Sequence, residues 1–129
     1  MASPRESAAV GAPVDPTEWL YRRVPAIWYD EKEHRVTRAA FQNYKKNKLQ
    51  YTAFSAYVVS KVEEPSVLVR LGDRLVKFPV QVALSNGQRV FYAPEDPEDA
   101  RAPEAHVHVD GEKKKPVQRA LARACELVM

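Results

Sequence analysis

The last element of the chain constrains the fold most. Residues 116–128 read PVQRALARACELV. They place Val117, Leu121, Ala124 or Cys125, and Val128 at i, i+4, i+7 or i+8, and i+11, with Gln118, Arg119, Arg123 and Glu126 outside the stripe. Proline fits the first helical position, so the spacing predicts an amphipathic helix from Pro116 to about Leu127. An apolar stripe of this kind stays wet unless it lies on another layer, and the stretches before it read as strands. The expected fold class is therefore α+β. It is a small single domain, mainly an antiparallel sheet of four to five strands, with the C-terminal helix packed on it and one or two short helices. Cys125 reads as a small buried apolar residue of the stripe.

The strands differ in clarity. LQYTAFSAYVVSKVEE alternates and is rich in Tyr, Val and Thr, which predicts a strand over residues 50–62. PSVLVRLG reads either as a strand or as a first helical turn opened by Pro65 and Ser66. In RLVKFPVQVALSNGQRVFYAP, Asn86-Gly87 serves equally as a two-residue hairpin turn or as the stop of a helix over residues 79–86. Strand propensity at Val80, Val82 and Val90 favours the hairpin, with residues 75–84 and 88–92 paired. Residues 104–109 form a further strand ended by Gly111, with Ala105, Val107 and Val109 on one face and His106, His108 and Asp110 on the other. Thr37 is the expected N-cap of a short helix over residues 38–44, Phe41 facing inward. EWLYRRVPAIWYD, broken by Pro25, is expected as extended or irregular chain that packs Trp19, Tyr21 and Trp28 on the body.

A chain of 129 residues with 45% hydrophobic and 29% charged residues matches one globular domain. MASPRESAAVGAPVDP lacks the basic and leucine-rich parts of a secretory signal, so residues 1–16 are expected to be a flexible arm and residues 17–129 the domain. No apolar run approaches the roughly 20 residues of a membrane span, and no membrane partner is expected. The single cysteine, Cys125, fits a reducing compartment, with the cytoplasm as the expected location.

A net charge of +3 is small for a dedicated nucleic-acid binder, and its distribution says more. Residues 30–48 hold six basic side chains (Lys32, Arg35, Arg38, Lys45, Lys46, Lys48) against three acidic ones, and residues 111–129 hold five (Lys113, Lys114, Lys115, Arg119, Arg123) against two. Between them Glu95, Asp96, Glu98, Asp99 and Glu104 form an acidic block. Whether the two basic blocks meet is a question of fold.

His106-x-His108 puts two imidazoles on one strand face, where a metal would need a further ligand such as Asp110, His34 or a carboxylate of residues 95–99. The run His106-x-His108-x-Asp110 is similar to the start of the metallo-β-lactamase H-x-H-x-D-H motif. Gly111 stands where the next histidine belongs, and the chain is too short for that fold. Valine after His106 likewise excludes the two-histidine phosphoesterases. The favoured reading is a strand whose outer face carries half-exposed imidazoles, with catalysis or metal binding by His106, His108 and Asp110 as the alternative.

Lys113, Lys114 and Lys115 before a helix N-terminus make either an anion site or, more simply, a solvated turn. Arg22 and Arg23, beside Tyr21, suit phosphate pairing. The simpler reading has one arginine bracing the arm against Glu18 or Asp30 and the other solvated. The aromatics Trp19, Tyr21, Trp28, Tyr29, Tyr44 and Tyr51, interleaved with Arg22, Arg23, Arg35 and Arg38, suit a single-strand nucleic-acid surface or a protein interface, and core packing explains most of them equally well. No nucleotide, metalloprotease or calcium motif is present, and no cofactor is expected.

The order WLYRRVPAIWY, TRAAF, a tyrosine-bearing strand and AHVHVDGEKKKPVQRALARA resembles a group of short uncharacterised bacterial proteins. That resemblance implies a compact stand-alone domain over residues 19–128 and no activity. It directs attention to Arg22, Arg23, His106 and residues 111–115, and favours the helix reading of residues 79–86. The expected function is a non-enzymatic protein-interaction module, the small subunit of a multi-gene bacterial system, binding a protein partner or a second copy through Arg22, Arg23, Arg38 and Lys113 to Lys115. The alternative is a nucleotide or nucleic-acid binder, or a small phosphodiesterase or nuclease, using His106 and His108 with the lysine turn. A metal-dependent enzyme is third.

Overall fold

Leu20 and Val24 are fully buried on one side of an extended segment, and Tyr21 is buried on the other. A strand buried on both faces belongs in the interior of a sheet. Residues Trp19–Val24 are such a strand, β1, in a computed structural model that describes residues 11–42, 44–46, 49–51, 53–94 and 102–129. Pro25 ends this strand and does not prevent it, so of the expected extended or irregular chain the extended alternative holds for Trp19–Val24.

Two short hairpins follow, β2 (Tyr29–Asp30) with β3 (Arg35–Val36) and β4 (Tyr44–Lys46) with β5 (Leu49–Tyr51). The remaining strands are β6 (Ala53–Val58), β7 (Arg74–Pro79), β8 (Arg89–Tyr92), β9 (His106–Asp110) and β10 (Glu126–Leu127). Six strands form one antiparallel sheet in the order β10-β7-β1-β6-β9-β8, one more than the upper expectation. Leu20 pairs with Val58 and Phe78 at one end of the sheet, and Val24 pairs with Arg74 at the other. Ala53, Asp110 and Arg89 lie in register at the Val24 end, and Tyr92 faces Val107 toward the Leu20 end. The β2–β3 hairpin therefore leaves from the Val24 end, and the β8–β9 connection from the Leu20 end.

One face of the sheet carries Leu20, Val24, Phe54, Ala56, Val58, Val76, Phe78, Val107 and Val109. It is covered by helix α1 (Val80–Ser85), helix α2 (Lys115–Ala124) and the 3-10 turn Arg38–Phe41. Phe41 sits at the centre, edge-on to Phe54 at 5.5 Å and to Phe78 at 5.8 Å between ring centroids. The opposite face has a smaller core of Tyr21, Tyr57, Leu75 and Ala105, capped by Leu68 from the turn Pro65–Leu68.

Several local expectations change. Val80–Ser85 is helix, not half of a hairpin: Val80 and Ala83, three apart, are buried, with Leu84 beside them. Asn86 Nδ2 donates to Val82 O, and Gly87, at φ 76°, takes the left-handed conformation that stops the helix. Packing of one helical face outweighs the strand propensity of the valines. Thr37 caps nothing; its Oγ1 donates to Trp28 O, and the helix expected over residues 38–44 is a single turn ending at Phe41. The strand expected over residues 50–62 divides into β5, β6 and a 3-10 turn Val59–Lys61.

The C-terminal helix ends at Ala124, and β10 joins β7, with Val128 N–H donating to Leu75 O and Leu75 N–H to Met129 O. From Gly11 the segment expected as an arm runs along β8, with Gly11 and Val14 N–H donating to Tyr92 O and Val90 O, and Val14 buried. Residues 1–10 lie outside the described residues.

Because Phe41 is fully buried among aromatic rings, Phe41→Ala is expected to lower the unfolding free energy by about 3–5 kcal/mol, read by urea denaturation.

A candidate anion-binding cleft

His106 and His108 share one face of β9, as their spacing requires, with ring centroids 5.3 Å apart. His106 is not half-exposed: it is fully buried against Tyr57. Its Nδ1–H donates to Ala93 O at 2.7 Å, since a carbonyl only accepts. Nε2 and Tyr57 Oη are buried without hydrogen-bond partners among the described residues. His108 is half-buried, edge-on to Phe91. Asp110 lies on the same face and pairs with Arg89 at 2.8 Å. Among the described residues no group of three or more His, Cys, Asp or Glu side chains is placed to hold a metal ion.

The lysine turn and the histidines are not brought together. Lys113 Nζ lies 5.2 Å from the centroid of Phe54, which pairs with Val109 on the helix-covered face, so the sheet separates it from the histidines. Lys113 is also not part of a solvated turn. It is buried, its Nζ donates to Gly111 O, and burial pushes its pKa down to about 8, Asp110 opposing the shift and Arg22 adding to it. Lys114 and Lys115 are exposed, Lys114 within 3.9 Å of Glu112.

Arg22 and Arg23 point to opposite faces, and neither braces the arm. Arg23 pairs with Asp73 at 3.1 Å. The Arg70 N–H and Arg23 together outweigh burial and hold the Asp73 carboxyl below its ordinary value. Arg22 lies 4.5 Å over the Phe54 ring and donates to Ser55 O and Ala40 O.

The two basic blocks do meet. Arg35 and Arg38 from the first and Arg119 and Arg123 from the second line one cleft of about 540 Å³ between the β2–β3 hairpin and α2. His34, at φ 54° in the hairpin turn, also lines it. Arg38 is oriented by Gln118: Arg38 Nη1 donates to Gln118 Oε1 at 3.0 Å, while the buried Gln118 donates through Nε2 to Lys113 O at 2.6 Å. The one carboxylate of the lining, Asp30, is occupied by the backbone N–H groups of Lys32 and Glu33. Among the described residues no carboxylate forms an ion pair with Arg35, Arg38, Arg119 or Arg123.

Cys125 closes the floor; burial raises its thiol to about 12, so it is neutral and no nucleophile at physiological pH. Four of the residues that line this cleft are arginines, and a guanidinium fork matches an oxyanion in geometry. Of these residues only Arg38 was singled out from sequence as a binding residue. The missed signal was Arg119 and Arg123, four apart on one side of the last helix.

Comparison with known protein families, with curated proteins and with solved structures gave no match to this chain. Fold and site geometry therefore carry the functional argument. Among the described residues no helix is long and apolar enough to cross a membrane.

Two outcomes check these placements. His106→Ala removes a buried ring and the donor to Ala93 O, and is expected to cost about 2–4 kcal/mol of stability in chemical denaturation. Lys113 has a folded pKa of about 8 against 10.5 when free, so above about 8 the unfolded chain holds the proton that the folded one has released. Its burial penalty is complete below that pH and is relieved as pH rises toward 10.5. The stability of the wild type relative to Lys113→Met is expected to climb across this window in urea titrations, whereas a flat difference contradicts the burial of its charge.

Proposed function

We propose that the protein is a non-enzymatic interaction module of the cytoplasm whose arginine cleft holds an acidic segment of a protein partner. The convergence of Arg35, Arg38, Arg119 and Arg123 around one cleft carries this reading. A guanidinium fork matches a carboxylate in two parallel hydrogen bonds, and arginine is enriched where proteins meet. Ile27, 84% exposed in the adjoining turn Ala26–Trp28, supplies the apolar contact that a protein partner would cover.

Two observations favour protein over nucleic acid. Among the described residues no Phe, Tyr or Trp side chain lines the cleft to stack a base, and the net charge is only +3. The catalytic alternative loses its pairing of groups, because the sheet lies between Lys113 and the histidines and the Cys125 thiol is neutral. A lone unpaired cysteine in the sequence supports a reducing location.

The test is fluorescence anisotropy with a labelled peptide of mixed Asp and Glu, beside a single-stranded oligonucleotide of equal charge. The peptide is expected to bind, and Arg119→Glu with Arg123→Glu to weaken it at least about tenfold, which corresponds to about 1.4 kcal/mol. Tighter binding of the oligonucleotide, or peptide binding indifferent to the double reversal, overturns the proposal.

A further inference from the structure

Arg119 and Arg123 stand four apart on α2 and both line the cleft, so their Cβ atoms are neighbours on one side of the helix, on the order of 5–6 Å apart. Like charges at that spacing weaken a helix. Nothing local offsets the repulsion: Arg35, Arg119 and Arg123 are exposed, and among the described residues their guanidinium groups have neither hydrogen bond nor ion pair. Across the cleft Arg38 is held by a single Nη1 hydrogen bond to Gln118, which leaves the rest of its fork without a partner among the described residues.

An acidic side chain supplies little against this. A carboxylate carries one negative charge on two oxygens. Successive side chains of an extended segment point to opposite sides, so the next carboxylate able to enter the same cleft lies two residues on, roughly 6–7 Å along the chain. A phosphate monoester brings a charge of about −1.5 to −2 near neutral pH on three acceptor oxygens at one point. Those oxygens accept from several guanidinium forks together.

The walls narrow the kind of phosphate. The uncharged lining is Val36, Thr37, Ala122 and Cys125, and the Thr37 hydroxyl is committed to Trp28 O. Among the described residues no Phe, Tyr or Trp lines the cleft to pack the ring of a phosphotyrosine. A short phosphorylated side chain needs no such wall.

We propose that the acidic segment held by the cleft carries a phosphorylated serine or threonine, whose phosphate sits between Arg119 and Arg123 and is met by Arg35 and Arg38 from the facing wall. This rests on the cleft being the partner-binding site. Association is then switched by modification of the partner, because the bare hydroxyl offers the arginines no charge.

The experiment is fluorescence anisotropy on the full chain with labelled peptides that differ at one place. The host is the mixed Asp and Glu peptide of the preceding test with a serine at its centre. Phosphoserine, phosphotyrosine, or a pair of glutamates matching the charge of the phosphate replaces that serine. The phosphoserine peptide is expected to bind at least about tenfold tighter than either of the other two, a preference that total charge alone does not give.

Arg119→Lys with Arg123→Lys keeps the charge and removes the forks, and is expected to weaken the phosphoserine peptide more than the glutamate peptide. Arg35→Glu repeats the test from the other wall, and thermal melting of each variant separates lost contact from lost fold. Equal affinity for the phosphoserine and glutamate peptides overturns the proposal while the cleft reading stands. A tighter phosphotyrosine peptide overturns it too, as does a phosphoserine preference that survives both the lysine pair and Arg35→Glu, since the phosphate is then bound elsewhere. If no peptide binds, both readings fall.

Discussion

The guanidinium of Arg22 is the point on which the helix-covered layer depends. It lies inside that layer, stacked on Phe54, and ties three segments together: its own strand, the backbone of β6 through Ser55 O, and the turn Arg38–Phe41 through Ala40 O. A buried charge is tolerated only where hydrogen bonds replace its hydration, so the turn is held against the sheet by more than Phe41 packing. Arg38 opens that turn and is aimed by Gln118, which is itself held by Lys113 O at the start of α2. The arginine that faces the cleft is thus positioned through the half-buried one, and the cleft stands on packed elements from both ends of the sequence.

Where the pattern of side chains was unambiguous, the sequence was enough. The apolar stripe of α2, the alternation in β6 and the strand at His106 to Asp110 all follow from periods of 3.6 or 2, and the α+β class follows from them. What escaped was decided by contacts distant in sequence. Val80 and Val82 carry a strand preference of a fraction of a kilocalorie, and a helix that buries Val80 and Ala83 against the sheet outweighs it. Trp19–Val24 reads as extended or irregular chain because Pro25 follows it, and the sheet selects the extended form, since proline only ends a strand. The tail at Glu126 leaves the helical path because the edge of β7 offers backbone hydrogen bonds that a longer helix would forgo.

The site was half legible for a similar reason. Charge blocks are visible in a sequence, but whether two of them meet depends on topology. Adjacent residues of a strand face opposite ways, so Arg22 and Arg23, which read as a pair, serve different layers. The three lysines likewise divide, Lys113 going into the interior while Lys114 and Lys115 stay in solvent. His106 read as an outward-facing residue because nothing in β9 alone announces the second small core on that side of the sheet, formed by Tyr57, Leu68 and Ala105.

A net charge of +3 conceals how strongly this chain is divided by charge. An exposed ion pair is worth about 0–1 kcal/mol, so one arginine on such a surface specifies little. Four arginines around one cleft act differently. Like charges gathered in one cleft repel, and an anionic group that reaches several of them together offsets that repulsion. Arg38, fixed by Gln118, loses less side-chain freedom on binding than a solvated arginine would, and pre-organisation of this kind raises affinity without new contacts. On the proposed reading, a cleft of this kind would therefore take dense negative charge in preference to a single isolated carboxylate.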